Sequence, residues 1–165
     1  MIITPLGIEG AWVAESPVWT DDRGSFREWF KLSDIEKATE RKFDLEQANV
    51  SSSKKGTIRG IHYSLAAKGQ AKWITCISGS IRDVVVDIRP NSKTFGKWIA
   101  IDLSGNSGKA VFYSEGLGHG FISLEENSTA AYLVTSTYSP TEEFDINPLD
   151  ETLGIDWKLK SEDFI

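Results

Sequence analysis

Cysteine and histidine are scarce in this sequence, and their scarcity excludes several kinds of site. The 165 residues include one cysteine and two histidines. A single cysteine cannot form an internal disulfide, and it excludes a zinc site built from several cysteines. Because Cys76 lies in the apolar stretch 73–77, we expect it to pack in a core, with a reactive role as the less favoured alternative.

Long apolar runs and positive charge are also lacking. No stretch approaches the roughly 20 apolar residues that cross a bilayer, and the first ten residues lack the basic start and apolar run of a secretion signal. The net charge of −6 argues against a general nucleic-acid binder, which needs a basic face. The sequence therefore predicts a cytoplasmic protein without a nucleic-acid or membrane partner, although local cations can still bind a small anion.

Proline is infrequent, whereas the 14 glycines and the aromatic content of 11% favour strands joined by tight turns. A chain of this length fits one domain, which we place at residues 1–165. Short strands at close spacing indicate an all-β sandwich or barrel. The predicted strands are 45–51, 57–63, 72–77, 81–88, 97–103, 109–113, 120–124 and 130–137.

The N-terminal part predicts a hairpin and the one helix of the chain. Residues 8–19 read as extended, 20–24 as a turn with Arg23 near its tip, and 25–30 as a returning strand. Ser33 and Glu36 have the spacing of a capping box and predict a short helix that ends near Arg41.

The stretch Thr57-Ile58-Arg59-Gly60-Ile61-His62-Tyr63 carries the first candidate site. Histidine is the usual general base near neutral pH, and arginine offers a planar fork for phosphate or carboxylate. Residues three apart on a regular strand point in opposite directions, so Arg59 and His62 share a pocket only if the strand is irregular. Gly60 predicts a bulge that turns both inward. The alternative is a regular strand with a surface arginine and a core histidine.

Alternation along two other strands supplies further candidates. Tyr132 and Tyr138 share a face of the strand 130–138, and Lys72 shares a face with Ile74 and Cys76. A lysine in line with apolar residues suits the rim of a pocket. Both observations have a structural alternative, in which the tyrosines are core residues with hydrated hydroxyls and Lys72 extends its ammonium to solvent.

Taken together, these segments resemble the dTDP-4-dehydrorhamnose 3,5-epimerases, a family of cupin-like enzymes of deoxysugar-nucleotide pathways. No single segment is decisive, but their number, order and spacing agree. The segments are 22–28, 47–51, Arg59-Gly60-Ile61-His62-Tyr63, Gln70-Ala71-Lys72, 79–89, 92–98, Glu115-Gly116-Leu117-Gly118-His119-Gly120-Phe121, Tyr132, 138–143 and 149–157.

The resemblance implies a homodimeric jelly-roll barrel with one or two short helices, no cofactor and no metal. It makes His62 the proton acceptor, Tyr132 the proton donor, Lys72 the residue beside the sugar ketone and Asp150 the carboxylate that orients His62. The neighbours of Asp150 depart from the Trp-Asn-Asp-Pro run often found there. The implied substrate-binding residues are Arg23, Phe26, Glu28, Gln47, Asn49, Arg59, His119, Tyr138 and Glu143, and the neighbouring subunit is expected to contribute some of them through the N-terminal hairpin.

The resemblance also implies a reaction, epimerisation of dTDP-4-dehydro-6-deoxy-D-glucose at C3 and C5. The residue types suit it, because a base, a stabiliser of the enolate and an acid on the opposite face are what the reaction needs. The sequence leaves open an epimerase that acts at C3 alone or at C5 alone. It also leaves open whether the nucleotide carries thymine or uracil, and which product the sugar finally enters. Two alternatives are disfavoured. A metal-dependent cupin would need more histidines, and a binding module without chemistry would not need His62, Lys72, Tyr132 and Asp150 together.

Overall fold

The computed structural model of the protein describes residues 1–165, which form thirteen strands, one α-helix and a final 3-10 turn. None of its helices has the length and apolar character needed to span a membrane. The elements are β1 (Ile2–Pro5), β2 (Ala11–Glu15), β3 (Trp19–Asp21), β4 (Gly24–Phe26), α1 (Leu32–Thr39), β5 (Gln47–Ser53), β6 (Ile58–Ser64), β7 (Lys72–Ser78), β8 (Ser80–Asp87), β9 (Trp98–Ser104), β10 (Lys109–Tyr113), β11 (Leu117–Ser123), β12 (Ser128–Val134), β13 (Glu143–Asp145) and the 3-10 turn Ser161–Asp163.

Two antiparallel sheets form the body of the fold. One has six strands in the order β1-β2-β10-β7-β12-β5, and the other has five in the order β13-β6-β11-β8-β9. Strands β3 and β4 pair only with each other, as a separate hairpin. The predicted all-β, cupin-like class is confirmed, with two sheets packed together and no closed barrel.

Apolar side chains fill the space between the sheets and cover both outer faces. The inner cluster includes Ile74 and Val111 from the six-stranded sheet and Val85 and Phe121 from the five-stranded sheet. Cys76 is fully buried in this cluster, as expected, and burial raises the pKa of its thiol to about 11. Helix α1 covers the outer face of the six-stranded sheet, and the C-terminal segment around Trp157 covers that of the five-stranded sheet.

The N-terminal region differs from the sequence expectation. The predicted capping box of Ser33 and Glu36 is wrong. Helix α1 begins at Leu32, its N-cap is Lys31, and no side chain caps it. The helix ends at Thr39, because Glu40 adopts a left-handed conformation. Strand β4 stops at Phe26, since the following segment attaches to the six-stranded sheet. There Arg27 donates a hydrogen bond to the carbonyl of Cys76 (2.7 Å).

Two short strands are not predicted from the sequence, and one predicted strand is too long. Strand β1 is an edge strand that ends in a proline, and β13 has only three residues, so neither shows a useful alternation. Strand β12 ends at Val134, which places Tyr138 beyond it. The shared strand predicted for Tyr132 and Tyr138 is therefore wrong.

The irregularity predicted at Gly60 is present in β6. The pairing of β6 with β11 shifts register between His119 and Phe121, and Gly60 has a φ of 113°. A Cβ atom on Gly60 would lie 2.6 Å from the carbonyl oxygen of His119, so only glycine fits against β11. Beyond the bulge the alternation of β6 is out of phase with that before it.

The phase change decides which side chains of β6 face inward. Ile58 and Ile61, three residues apart, both pack against the outer cluster with Trp157. Arg59 and His62, also three residues apart, both line the cavity between the sheets. The alternative of a surface arginine and a core histidine on a regular strand is therefore excluded.

We expect Gly60→Ala to lower the free energy of unfolding by about 3 kcal/mol, because the methyl group adds a clash with β11 to the cost of a positive φ. Gly96→Ala is the matched control, since Gly96 also has a positive φ but nothing within 4 Å of the added methyl. Its loss should be about 1 kcal/mol. Equal losses in urea unfolding would contradict the close approach of β6 and β11.

Candidate active site

A cavity of about 420 Å³ opens between the two sheets, a volume within the usual range for small-molecule sites. Strands of both sheets line it, together with residues just beyond their ends. The lining residues are Gln47, Asn49, Arg59, His62, Gln70, Lys72, His119, Phe121, Tyr132, Val134, Tyr138, Glu143 and Asp145. Most of them are polar or charged, which suits a polar ligand.

His62 is partly buried in the wall formed by β6. Burial, and after it the neighbouring ammonium of Lys72, lower the pKa of its imidazole to about 4, although Asp145 acts in the opposite direction. Both causes disfavour the charged imidazolium. His62 is consequently neutral at physiological pH, the form that accepts a proton.

Lys72 begins strand β7 and is almost fully buried, at 8% exposure. The alternative in which Lys72 extends its ammonium to solvent is therefore excluded. Burial lowers the pKa of its ammonium, opposed by Glu143, Asp83 and Asp145. No carboxylate forms a salt bridge with this ammonium. A buried cation without a protein partner favours a ligand that brings negative charge.

Tyr132, on β12, reaches the same cavity from the six-stranded sheet, whereas His62 belongs to the five-stranded sheet. Burial is the main cause that raises the pKa of its phenol. The hydroxyl is therefore protonated at neutral pH and can donate. A base and an acid thus stand on two different sheets of one cavity.

His119 is a buried residue of the cavity wall and belongs to a hydrogen-bonded group of three side chains. The Nε2 atom of His119 lies 2.8 Å from Asp83, and the hydroxyl of Tyr113 donates to the same carboxylate at 2.6 Å. Asp83 is fully buried, so these two contacts satisfy it. This arrangement fixes the ring of His119 at the inner end of the site.

Further hydrogen bonds hold the other polar groups of the cavity. Arg59 donates to the hydroxyl of Ser53 at 3.0 Å, and Gln70 donates to Glu143 at 2.8 Å. The side chain of Gln47 donates to Asn49 and accepts from the backbone N–H of Tyr138. The last contact brings Tyr138 to the cavity although it lies outside the strand.

Nine of the thirteen residues expected from the sequence line this cavity. They are Gln47, Asn49, Arg59, His62, Lys72, His119, Tyr132, Tyr138 and Glu143. The cavity also contains four residues that are not predicted from the sequence, Gln70, Phe121, Val134 and Asp145. Gln70 and Phe121 belong to segments of the family resemblance, but the resemblance implies no site role for them.

Asp150 does not orient His62, which corrects the expectation from the resemblance. Its carboxylate accepts hydrogen bonds from the backbone N–H and the hydroxyl of Thr152, at 2.8 and 2.6 Å, and so closes its own turn. The carboxylate beside His62 belongs to Asp145, with 3.4 Å between Oδ1 and Nε2.

Arg23, Phe26 and Glu28 lie away from the cavity of their own chain. Arg23 is 90% exposed on the hairpin and forms a salt bridge with Asp21. Phe26 is 66% exposed and packs beside Trp19, and Glu28 is also exposed. Within one chain, these three residues therefore do not contribute to the site.

The arrangement can move a proton. A neutral imidazole accepts one, a buried ammonium stabilises negative charge that develops on an oxygen, and a phenol donates from another wall. No group of three or more histidine, cysteine, aspartate or glutamate side chains is placed to hold a metal ion.

Comparison with known proteins agrees with this chemistry. Residues 5–164 match the family model described as dTDP-4-dehydrorhamnose 3,5-epimerase. A dTDP-4-dehydrorhamnose 3-epimerase of Streptomyces niveus is 43% identical over 157 residues, which cover 95% of this chain and 76% of that protein. A dTDP-4-dehydrorhamnose 3,5-epimerase of Mycobacterium tuberculosis is 41% identical over 154 residues, which cover 93% of this chain and 76% of that protein.

A crystal structure extends the likeness to the fold. The 4-keto-6-deoxy sugar epimerase from the novobiocin biosynthetic gene cluster of Streptomyces spheroides superposes with a TM-score of 0.93 and 43% identity, over 96% of this chain and 80% of that one.

Two packed sheets around an acid–base cavity thus define a cupin-like enzyme of the epimerase class. Within that class, the chain belongs to the dTDP-4-dehydrorhamnose 3,5-epimerase family.

We expect the imidazole of His62 to titrate near pH 4 in an NMR titration, since only two histidines contribute signals. Lys72→Met should raise this pKa toward the ordinary value of about 6.5, because removal of a cation favours the imidazolium. Lys72→Arg keeps the charge and should leave the pKa low. A His62 pKa near 6.5 in the unmodified protein, or one insensitive to Lys72→Met, would contradict this description.

Proposed function

We propose that the protein epimerises dTDP-4-dehydro-6-deoxy-D-glucose at C3 and C5 to give dTDP-4-dehydro-L-rhamnose. The observation that carries the proposal is the meeting of His62, Lys72 and Tyr132 in one cavity, on strands of both sheets. This set supplies the base, the stabiliser of the enolate and the acid that inversion at a carbon beside a ketone requires.

The ligands of related crystal structures support the choice of substrate. An epimerase of Legionella pneumophila, 36% identical with a TM-score of 0.91, was crystallised with dTDP-4-keto-L-rhamnose. A 3′-monoepimerase of Streptomyces bikiniensis, 42% identical with the same TM-score, was crystallised with dTDP-quinovose. A double mutant of that monoepimerase replaces a histidine and a tyrosine seventy positions apart, which is the separation of His62 and Tyr132 here.

In the proposed reaction His62 removes the proton from the carbon beside the C4 ketone. The C–H bond breaks, its electron pair moves onto the ketone oxygen, and Lys72 stabilises the resulting enolate. Loss of one such donor typically costs about 100-fold to 1,000-fold in kcat. Tyr132 then protonates the carbon from the other face. Its phenolate takes a proton from solvent, and the imidazolium of His62 releases its proton to solvent, which restores both groups.

Arg59 serves as an anchor for the diphosphate. Its guanidinium lies in the cavity with one nitrogen on Ser53, so the rest of the fork can bind an anion. The protein is acidic overall, and a diphosphate would otherwise be repelled. Binding energy at the phosphates holds the sugar in position between base and acid.

Epimerisation at C3 alone is the second candidate. Relatives of similar identity include both 3-epimerases and 3,5-epimerases. Because both reactions use a base and an acid on opposite faces, the same residues serve either one.

The position of deuterium tests the two candidates. In deuterated water each epimerised carbon takes up deuterium, so NMR of the product should show it at both C3 and C5. Deuterium at C3 alone would establish the second candidate, and its absence from both carbons would overturn the epimerase proposal for this substrate.

The same assay tests the roles of the side chains. We expect His62→Ala to abolish exchange while dTDP still binds, a loss of at least about 100-fold. In Tyr132→Phe, exchange at the acidic carbon should continue while inversion fails. Tyr63→Phe is the matched control, because Tyr63 stacks on Phe144 and is not part of the cavity lining. Normal epimerisation by Tyr132→Phe would remove Tyr132 from the mechanism.

We also propose that the active form is a homodimer in which the hairpin β3–β4 completes the cavity of the partner subunit. The hairpin is not hydrogen-bonded to either sheet, and it exposes Trp19 and Phe26 beside each other. Exposed aromatic pairs of this kind mark interaction surfaces. Arg23 and Glu28 would then add polar groups to a site that they do not reach within their own chain.

A mixture of Arg23→Ala and His62→Ala proteins tests the dimer. In a mixed dimer one site carries both changes and the other carries neither, so random mixing should restore about a quarter of the unmodified activity. Each variant alone should be strongly impaired at low substrate concentration. A mixture no more active than its components, or a monomer in solution, would contradict the proposal.

A further inference from the structure

Gln70 joins the two sheets at one wall of the cavity. It lies two residues before Lys72, the first residue of β7, and only 9% of its surface is exposed. Its side-chain amide donates one hydrogen bond to the hydroxyl of Ser136 at 3.0 Å and another to Oε1 of Glu143 at 2.8 Å. Ser136 follows the end of β12, whereas Glu143 begins β13 of the other sheet. Gln70 therefore fixes a carboxylate that belongs to the opposite sheet.

The backbone beside Gln70 is anchored as well as its side chain. The N–H of Ala71 donates to the hydroxyl of Thr135 at 2.8 Å, and the N–H of Thr135 donates to the carbonyl of Ala71 at 3.2 Å. Because a carboxylate only accepts hydrogen bonds, the nitrogen of the Gln70 amide must face Glu143. This bond is the one hydrogen bond that the carboxylate of Glu143 makes, so its position depends on Gln70.

The same carboxylate acts on the buried ammonium of Lys72. Burial lowers the pKa of Lys72, and Glu143 is the carboxylate that opposes this most strongly. Both residues line the cavity, yet they form no salt bridge. The titratable groups that act on Lys72 or are acted on by it are Glu143 and Asp145 of β13, Asp83 of β8 and His62 of β6. The strongest of the opposing charges is thus hydrogen-bonded to a neutral amide instead of the ammonium.

An ion pair between Lys72 and Glu143 would compete with the substrate. Opposite charges attract strongly in a buried site, and a paired ammonium has less charge to offer a developing enolate. A hydrogen bond from Gln70 satisfies the carboxylate without the use of a cation. The ammonium of Lys72 therefore remains available to an oxygen atom of the ligand.

We propose that Gln70 is a positioning residue of the site, which holds the carboxylate of Glu143 away from Lys72 and so keeps the ammonium available to the ketone oxygen of the substrate. This inference rests on the proposed role of Lys72 as the stabiliser of the enolate. Gln70 acts through Glu143 and Lys72 and takes no part in proton transfer.

NMR titration of the ¹³Cε signals of lysine tests this in the full-length protein without substrate. Lys72→Arg identifies the signal of Lys72 by its absence. Gln70→Met has nearly the same side-chain length but no donor, so the released carboxylate should move to Lys72. An approaching negative charge favours the ammonium, so the pKa of Lys72 should rise by about one pH unit from a value below the ordinary 10.4. Gln70→Asn, whose amide is one methylene shorter, should change it in the same direction.

Two further variants separate an ion pair from a loss of packing. Glu143→Gln added to Gln70→Met leaves no carboxylate at this position, so the pKa of Lys72 should fall back to the unmodified value or below it. Ser136→Ala removes the other partner of Gln70 but leaves its bond to Glu143, and should leave the pKa of Lys72 low. An unchanged pKa in Gln70→Met, a rise that persists after Glu143→Gln, or an equal rise in Ser136→Ala would overturn the inference.

Turnover gives the second readout. An ion pair withdraws stabilisation from the transition state, so Gln70→Met should lower kcat about tenfold with little change in KM. A higher KM with kcat unchanged would instead place Gln70 in binding of the substrate and would contradict the positioning role. Because the titration needs no substrate, it decides the effect of Gln70 on Lys72 separately from the proposed reaction.

Discussion

The site depends on one backbone constraint, the close contact of β6 with β11 at Gly60. Because glycine alone fits there, β6 bulges and its alternation changes phase. Two apolar residues, Ile58 and Ile61, can then pack outward while Arg59 and His62 both face inward. Without the bulge, burying the isoleucines would send one of the two polar side chains out of the cavity.

The second constraint is electrostatic. The cavity of this acidic protein is lined by the guanidinium of Arg59, which is exposed, and by the ammonium of Lys72, which is buried without a salt bridge. The shared environment keeps His62 neutral, since burial and Lys72 both disfavour its charged form. An anionic substrate would relieve the charge on Lys72 and Arg59, which couples binding of the ligand to readiness of the base.

Much of this was predictable from the sequence, and the exceptions have physical causes. The strands from β5 to β12 were predicted because turn residues and alternating apolar residues mark them. The bulge was predictable because Arg59 and His62 can face one pocket only on an irregular strand, and Gly60 between them is the residue that permits a bulge. Most cavity residues of these strands followed from the family resemblance, but Phe121 on β11 and Val134 on β12 did not.

The predictions that failed concern features that depend on contacts between residues distant in the sequence. Strand β13 is recognisable only through its pairing with β6, so the position of Asp145 beside His62 is not predictable from the sequence. Tyr138 reaches the site through a hydrogen bond of its backbone to Gln47, not through a strand. Arg23, Phe26 and Glu28 were assigned to the site, but nothing in one chain's sequence specifies whose cavity an exposed hairpin enters.

The central claim is that a base and an acid lie on opposite faces of one nucleotide-linked sugar. The most direct measurement is a crystal structure with a dTDP-linked 6-deoxyhexose that lacks the ketone and cannot react. The account predicts the sugar ring between the imidazole of His62 and the hydroxyl of Tyr132, with Lys72 nearest the C4 oxygen. A ring with both side chains on the same face, or a sugar bound outside the cavity, would contradict it.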